Sequence, residues 1–425
     1  MKLLIENAKQ IVTCRTNGRR FNSGKYQSEV GVINNSSIYV ENGVIKWIGK
    51  RWKEVRSKKS DVRGSIEKID ASGKVIFPGF VDPHTHLVFA GDRSNEFAMR
   101  MEGKTYEEIA KAGGGIVNTV SAVKKTSKPK LKTLAKERIW SSISFGVTTI
   151  EAKSGYGLDT KNEIKMLEVI NELDKEMPID VYSTFLGAHA FPTRLRNGQE
   201  DISRKDYIDM ILYEMIPQIA KRKLASFIDA FCEKNYYTPK ETGKIFEQGV
   251  KFGLIPKLHT NQFHSVGGIQ TAVKHKAISV DHLEVMTPKE INLLKGKNIF
   301  ACVLPGVSYF LSIPYAPARK LIANNIPVAI ATDFNPGSCM TENIQLVMSL
   351  AAQKMNMNVN EIINAVTVNA AASLGISDRV GSIEPGKQAD LLIFDMPSYE
   401  HLIYHFGVNM LESVIKNGEM IYKFV

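Results

Sequence analysis

The sequence predicts an α/β protein, a TIM (β/α)8 barrel joined to a small β-sandwich domain formed by the N- and C-terminal segments. Three observations lead to this fold class. Eight short apolar runs alternate with helical stretches through the middle of the chain, both ends carry hairpin signals, and polar residues follow several runs where a strand would end.

The two ends of the chain share a hairpin pattern. Near the start, SIYVENGVIKWIG alternates around Asn42-Gly43, and near the end VIKNGEMIYKFV alternates around Asn417-Gly418. Asn-Gly between alternating apolar residues is a strong hairpin signal, because a type I′ turn needs positive φ at both central positions. Since isolated hairpins are only marginally stable, we expect both ends to join in one β-sandwich, together with residues 2–13 and 389–394.

The middle of the chain predicts parallel strands. Several of its apolar runs are nearly continuous, as expected for strands covered on both faces, and right-handed βα units built from eight of them close a barrel. An open doubly wound sheet is the alternative, but no G-x-G-x-x-G follows the first run. The runs are residues 75–82, 147–152, 180–186, 227–231, 255–258, 278–281, 299–303 and 328–331. We therefore expect the barrel over 75–375 and the two parts of the sandwich over 1–74 and 376–425.

Imidazole side chains cluster at the predicted strand ends, where the chemistry of a TIM barrel lies. His84 and His86 end the first strand, and their i, i+2 spacing directs both to the same side. His259 and His282 end the fifth and sixth strands, and Asp333 ends the eighth. One histidine alone would be read as structural, but four of the nine lie at strand ends. Imidazoles with a carboxylate suit a borderline divalent ion, zinc above all, with iron or manganese admissible.

Seven motifs surround these residues in order along the chain: HTHLVFAGDRSNEF, GGGI, GVTTIEAKSGYGLD, FLGAHAFP, HTNQFHSVGG, SVDHLE and ATDFNPGS. With these motifs the sequence resembles the amidohydrolase superfamily of metal-dependent hydrolases. It is most similar to the branch that hydrolyses 4-imidazolone-5-propanoate to N-formimidoyl-L-glutamate in histidine degradation. The resemblance implies a distorted TIM barrel with a terminal β-sandwich, and hydrolysis of a cyclic amide C–N bond by metal-activated water.

The resemblance also implies roles for individual residues. The metal ligands would be His84, His86, His259 and Asp333, holding one Zn2+ or Fe3+ per subunit. Asp333 would also exchange a proton with the water and the leaving nitrogen, while His282 would stabilise the oxyanion without ligating the metal. The residues implied to contact substrate, with the arginine on the propionate, are Arg93, Tyr156, His189, Gln262, Asn335, Gly337 and Ser338.

Two positions qualify this assignment. Some members carry glutamate where this chain has Gln262, and a glutamine can orient a substrate but cannot accept its proton. Asp333 or His282 is then left as the proton acceptor. Lys153 ends the second strand, whereas the carboxylated lysine that bridges two metals in some members is on the fourth, so we expect a mononuclear site.

Composition narrows the class of protein. With 425 residues, 44% of them hydrophobic, the chain is neither collagenous nor a small disulfide scaffold. Its four cysteines are widely spaced without a C-x-x-C pair, which indicates reduced thiols. No apolar run approaches the roughly 20 residues that span a bilayer, and the first residues do not read as a signal peptide. We expect a cytoplasmic protein without a membrane partner.

The net charge of +11 leaves other functions open. The basic excess lies mainly at residues 50–63 and 124–138, which we interpret as solvated faces that favour a small anionic substrate by steering, and not as a nucleic-acid site. One alternative is another mononuclear amidohydrolase, such as a purine or pyrimidine aminohydrolase. A second is a basic nucleic-acid-binding or scaffold protein on an inactive barrel. The resemblance and the prevalence of two-fold symmetry predict a homodimer.

Overall fold

The computed structural model of the chain describes residues 1–50, 52, 65–104, 108, 114–192 and 202–424. Most of the basic segment at 50–63, and the first glycine of the GGGI motif, lie outside these residues. The strands are β1 (Lys2–Val12), β2 (Val32–Glu41), β3 (Val44–Gly49), β4 (Glu67–Asp70), β5 (Val75–Pro78), β6 (Phe80–Asp82), β7 (Val147–Lys153), β8 (Asp180–Ala188), β9 (Phe227–Cys232), β10 (Ile255–Thr260), β11 (Ser279–His282), β12 (Phe300–Val303), β13 (Val328–Ile330), β14 (Leu391–Phe394), β15 (Leu411–Lys416) and β16 (Glu419–Lys423).

Strands β6 to β13 form the predicted barrel. They lie side by side in sequence order, and every neighbouring pair is parallel. The segments that follow β6 and β13 close the ring, because the Asp333 N–H donates to the His84 carbonyl (3.0 Å) and the His86 N–H donates to the Phe334 carbonyl (2.9 Å). This closure brings the first and eighth strand ends together, and the predicted fold class is confirmed.

The two ends of the chain form a separate sheet, in the order β16-β15-β14-β5-β1-β2-β3 with β4 also paired to β1. Both predicted hairpins are present, as β2-β3 and β15-β16. Asn42 and Gly43 have φ of 52° and 75°, and Asn417 and Gly418 have φ of 52° and 80°, as the turn requires. An aliphatic cluster that includes Ile5, Ile38 and Ile415 holds the N- and C-terminal strands together.

The predicted first barrel strand, residues 75–82, is divided between the two sheets, so the expectation of one continuous strand is wrong. Val75–Pro78 pairs with β1 and β14 of the terminal sheet, and Phe80–Asp82 pairs with β7 of the barrel. Gly79 lies between them, and a Cβ there would be 2.1 Å from Thr148 Oγ1. The apolar pattern hides the break because both halves are buried.

Helices cover the outside of the barrel. Those after β9 and β11 begin with reciprocal capping boxes, Thr238 with Glu241 and Thr287 with Glu290. The described α-helices are Ser94–Met101, Ile116–Lys125, Lys128–Ser144, Thr160–Glu176, Arg204–Met210, Ile216–Lys221, Pro239–Lys251, Gly268–Lys274, Pro288–Leu294, Pro305–Leu311, Ala318–Ala323, Ile344–Met355, Val359–Ala365, Val368–Ser373 and His401–Tyr404, with a 3-10 turn at Gly24–Ser28 and a π turn at Ile211–Met215. Within the described ranges, every helix is too short or too polar to cross a lipid bilayer.

The basic segment at 124–138 is paired and not simply solvated. Its lysines on helix Lys128–Ser144 form a ladder of ion pairs with glutamates of helix Thr160–Glu176, at N–O distances of 2.5 to 2.8 Å. The ladder joins Lys128, Lys132 and Lys136 to Glu168, Glu172 and Glu176. This basic stretch therefore has an acidic partner within the chain.

Candidate active site

Four side chains from three strand ends converge inside the mouth of the barrel. His84 and His86 follow β6, His259 lies in β10, and Asp333 follows β13. The Nε2 atoms of His84 and His86 are each 3.3 Å from Asp333 Oδ1, and Nε2 of His259 is 3.5 Å from Nε2 of His86. All four side chains are buried. The predicted ligand residues are therefore adjacent in space.

The donor atoms of this cluster fit a metal ion. His84 Nε2 and Asp333 Oδ1 are buried and have no hydrogen-bond partner in the described structure, which is rare for buried polar atoms. Two imidazole nitrogens that face each other at 3.5 Å need a shared proton or cation between them. Within the group of His84, His86 and Asp333, and within the group of His84, His259 and His282, the ligand atoms lie within 4.8 Å of one another. Nitrogen and carboxylate donors at this spacing suit zinc or iron.

Two buried aspartates lie behind the imidazoles of His84 and His259. Asp281 Oδ2 lies 2.6 Å from Nδ1 of His84, and Asp229 Oδ2 lies 2.9 Å from Nδ1 of His259. Such carboxylates orient a ligating imidazole and direct its other nitrogen to the metal. Burial opposes ionisation of Asp229, but the charges of His259 and Lys153 outweigh it and hold its pKa well below the usual range.

Both aspartates belong to a network of buried charges on the barrel floor. The ammonium of Lys153 donates to Glu151 at 2.8 Å and to Asp229 at 2.9 Å, and Lys257 donates to Glu151 at 2.7 Å. The side chain of Asp281 lies 3.7 Å from the Lys153 ammonium, and all five side chains of the network are fully buried. The sequence reasoning missed this network, although charged residues inside apolar strands such as VTTIEAK and FIDAFC are an available signal.

His282 lies at the end of β11 with φ of 83°, a backbone conformation that non-glycine residues rarely adopt. One of its ring nitrogens is near those of His84 and His259, and its Nδ1 is 3.5 Å from Glu284 Oε1. Asp333 also has positive φ, 50°. Strained backbone of this kind is concentrated at functional sites.

The remaining predicted residues line two neighbouring cavities at the same end of the barrel. An inner cavity of about 60 Å³ borders the metal-ligand cluster, and an outer cavity of about 370 Å³ opens from it. Six residues line both: Tyr156, His189, Phe231, Gln262, Asn335 and Ser338. Arg93 and Gly337 line the outer cavity. The structure thus brings every predicted site residue to one place, and adds Phe231, which the sequence reasoning did not single out.

Arg93 presents one edge of its guanidinium to the outer cavity. Its Nε and Nη2 donate to Glu96 Oε2 at 2.9 and 2.8 Å, which leaves Nη1 beside Gly337. A Cβ on Gly337 would be 2.3 Å from Nη1, so a glycine is needed for this close approach. Glu96, missed from the sequence, also accepts from the Gly115 N–H at 3.0 Å.

His189 and Tyr156 form one wall of the inner cavity. Nδ1 of His189 is 3.1 Å from the Gly155 carbonyl, which can only accept, so Nδ1 carries the ring proton. Burial, helped by the charge of His86, lowers the pKa of His189 to about 3 and keeps its imidazole neutral. Glu163 fixes the loop that carries Tyr156 by accepting from the N–H groups of Gly155 (3.0 Å), Gly157 (2.7 Å) and Leu158 (2.9 Å).

Asn335 shapes the loop after β13 with its own side chain. Its Oδ1 accepts from the N–H groups of Gly337 and Ser338, both at 2.8 Å, and its Nδ2 donates to the Asp333 carbonyl at 2.6 Å. The Asn335 amide therefore holds the ligand Asp333 and the Gly337 backbone in one fixed turn.

Comparison with known proteins places this geometry in context. A family model described as "Amidohydrolase family" matches residues 75–421. The imidazolonepropionase of Flavobacterium johnsoniae is 43% identical over 422 residues, covering 99% of this chain and 100% of that protein. The imidazolonepropionase of Geobacillus kaustophilus is 42% identical over 419 residues, 99% of this chain and 97% of that protein. A crystal structure of an adenosine deaminase from Xanthomonas campestris with bound zinc shares the fold, with a TM-score of 0.70 and 18% identity over 98% of this chain and 92% of that one.

Proposed function

Because the chain belongs to the amidohydrolase family, and within it to the imidazolonepropionases, we propose that it hydrolyses 4-imidazolone-5-propanoate to N-formimidoyl-L-glutamate. The observation that carries this proposal is the identity of 43% to such an enzyme over essentially the whole length of both chains. The site geometry supports it, since the residues that the sequence resemblance assigns to metal and substrate, apart from His84, line two neighbouring cavities.

The cavities match the two parts of this substrate. The small polar inner cavity suits the imidazolone ring, and the outer cavity suits the propionate. Arg93, Arg100 and Lys104 line the outer cavity, whereas Glu96 is its only acidic residue among the described ones. A propionate that reaches Nη1 of Arg93 gains a charge-assisted hydrogen bond, while Tyr156, His189 and the loop of Asn335, Gly337 and Ser338 enclose the ring.

His84, His86, His259 and Asp333 are the residues that would hold the metal, with Asp229 and Asp281 orienting the imidazoles. A metal ion held there would supply a water whose pKa is lowered, toward about 7 for zinc. His282 stays outside this set in the proposal, because its Nδ1 faces Glu284 and its ring borders the inner cavity.

Proton transfer is assigned to the chain's own residues. Asp333 Oδ1 faces the two imidazoles, so Oδ2 is the oxygen that takes the proton of the attacking water. The water oxygen bonds to the ring carbonyl carbon, the C–N bond breaks, and Asp333 returns the proton to the departing nitrogen. His282 donates a hydrogen bond to the carbonyl oxygen as it gains negative charge. Gln262, a neutral amide, orients the ring by donating and accepting.

A purine or pyrimidine aminohydrolase is less well supported. The likeness to the adenosine deaminase concerns the fold, and a neutral base offers no anion to the cations of the outer cavity. The scaffold alternative does not explain why the histidines and Asp333 are buried together at the barrel mouth. We further propose that the enzyme carries one Zn2+ or Fe3+ per subunit and acts as a cytoplasmic homodimer, a setting that suits its four free, buried cysteines.

Turnover by the purified protein tests the proposal. We expect loss of 4-imidazolone-5-propanoate with formation of N-formimidoyl-L-glutamate, identified by its mass. Purine and pyrimidine bases, supplied at the same concentration, should remain unchanged. Release of ammonia from such a base, with the imidazolone untouched, would replace the proposal by the aminohydrolase alternative.

A further inference from the structure

Gln262 is held in the cavity by its backbone and not by its side chain. It lines both cavities and is buried, yet within the described part of the chain its amide makes no hydrogen bond. A long side chain without a partner samples several rotamers, and ordering it has an entropic cost. Whatever fixes the direction of Gln262 must therefore act on the peptide groups on either side of it.

One buried carboxylate, Glu233, holds the peptide groups that follow Gln262. Its Oε2 accepts from the N–H groups of Phe263 at 3.0 Å and His264 at 3.1 Å. Its Oε1 accepts from the N–H of Lys234 at 2.8 Å and lies 3.0 Å from Nδ1 of His264. Each oxygen thus accepts from at least one backbone N–H group, and the side chain of Glu233 is 1% exposed.

Glu233 comes from a different strand end than the residue it would control. It follows β9, whereas Gln262 follows β10, so its carboxylate ties two neighbouring loops together behind the cavity. On the other side, Asn261 has φ of 57°, and its amide donates to the Val285 carbonyl and to Glu290 Oε1, both at 2.8 Å. Asn261 fixes where the turn begins, and Glu233 fixes how the chain leaves Gln262.

We propose that Glu233 is a positioning residue for the hydrolysis, acting through the backbone of Phe263 and His264 to aim the Gln262 amide at the substrate ring. The expected effect on kcat rests on the proposed function, whereas the expected effect on the loop backbone does not. Arg93 anchors the propionate independently of this loop, so loss of Glu233 should lower kcat and leave KM nearly unchanged.

The variant Glu233→Gln tests this with almost no change in shape. The new amide NH2 opposes the N–H groups of Phe263 and His264 if it lies on one side, or the N–H of Lys234 if it lies on the other, so at least one backbone hydrogen bond is lost and the loop is pushed away. We expect kcat to fall between about 10-fold and 100-fold, the range that a small misplacement of a reacting group produces. In the Gln262→Ala background the same change should lower kcat less than about twofold, because the group that Glu233 aims is gone.

Glu163→Gln is the matched control. Glu163 is also fully buried and also accepts from three backbone N–H groups, but it holds the Tyr156 loop. Its effect on kcat should remain in the Gln262→Ala background, so that the two losses multiply. If the losses from Glu233→Gln and Gln262→Ala multiply in the same way, Glu233 does not act through Gln262 and the proposal is overturned.

Hydrogen exchange keeps the structural part separate from the proposed function. In Glu233→Gln, at least one of the amides of Lys234, Phe263 and His264 should exchange faster than in the parent, while those of Gly155, Gly157 and Leu158 keep their protection. This holds for any substrate. A parent protein that leaves 4-imidazolone-5-propanoate untouched refutes the proposed function, whereas unchanged protection at Lys234, Phe263 and His264 refutes the role of Glu233.

Discussion

In the proposed mode of binding, single residues at the cavity mouth set the affinity for the anionic part of the substrate. Arg93 presents Nη1 beside Gly337 at the outer cavity, while its Nε and Nη2 each donate to Glu96. For Arg93→Met we predict that KM rises about 100-fold with kcat nearly unchanged, since one charge-assisted contact is worth about 3 kcal/mol and each 1.4 kcal/mol is tenfold. The carboxamide analogue of the substrate is the control, and its KM should be the same with either protein. An equal rise for both compounds would mean that Arg93 does not bind the carboxylate.

Gly337 offers a second test of the same contact without removing a charge. Its added Cβ would meet Nη1 of Arg93 at 2.3 Å, and that atom is the far end of a flexible side chain. For Gly337→Ala we predict that the guanidinium moves aside, raising KM about tenfold while the thermal midpoint stays within about 2 °C. Steady-state kinetics and a melting curve on one preparation check both parts. A large loss of stability with unchanged KM would show that Gly337 serves only the loop.

At the residue scale, the sequence identified the groups at the strand ends but not those behind them. His84, His86, His259 and Asp333 could be predicted because histidines and an aspartate at strand ends share one edge of a barrel. Glu96 and Glu233 could not, since each accepts from backbone N–H groups that lie 19 to 31 residues away along the chain. The sequence pattern also did not predict that the Asn335 side chain accepts hydrogen bonds from the backbone of its own loop.

At the level of elements, the junction between the two sheets depends on Gly79. Its backbone lies against Thr148 so closely that a Cβ would be 2.1 Å from Oγ1. For Gly79→Ala we predict a fall in the free energy of unfolding of about 1–3 kcal/mol, the usual penalty for overpacking. Adding Thr148→Ala should recover part of the lost thermal midpoint, because it removes the two nearest atoms. If the losses of stability from Gly79→Ala and Thr148→Ala simply add, the strain does not arise from the contact between these two residues.

Most elements were predictable because the barrel strands are buried on both faces and read as short apolar runs separated by helices. The division of residues 75–82 into β5 and β6 could not be predicted. Periodicity reports burial, and burial is the same on both sides of Gly79, so only hydrogen bonding distinguishes the two sheets.

At the scale of the whole molecule, one buried ammonium group, that of Lys416, joins the terminal sheet to the barrel. Lys416 in β15 donates to Asp180 in β8 at 2.9 Å and to Asp390 at 2.8 Å, and the side chains of Lys416 and Asp390 are each 3% exposed. For Lys416→Met we predict that unfolding becomes easier by about 3 kcal/mol, because a buried carboxylate loses its counter-charge. Lys205→Met, which removes a surface pair with Asp209, should change the melting curve little. Equal shifts for the two variants would contradict this coupling.

The central claim is that four side chains from three strand ends build one metal centre on which turnover depends. Its most direct test is to strip the protein with a chelator, titrate it with Zn2+ or iron, and follow turnover of 4-imidazolone-5-propanoate together with bound metal. We predict that activity is absent at first, rises linearly, and stops rising at one ion per chain. Asp333→Asn should bind the ion at least about tenfold more weakly. Full activity in the metal-free protein, or a rise that continues to two ions per chain, would contradict the account.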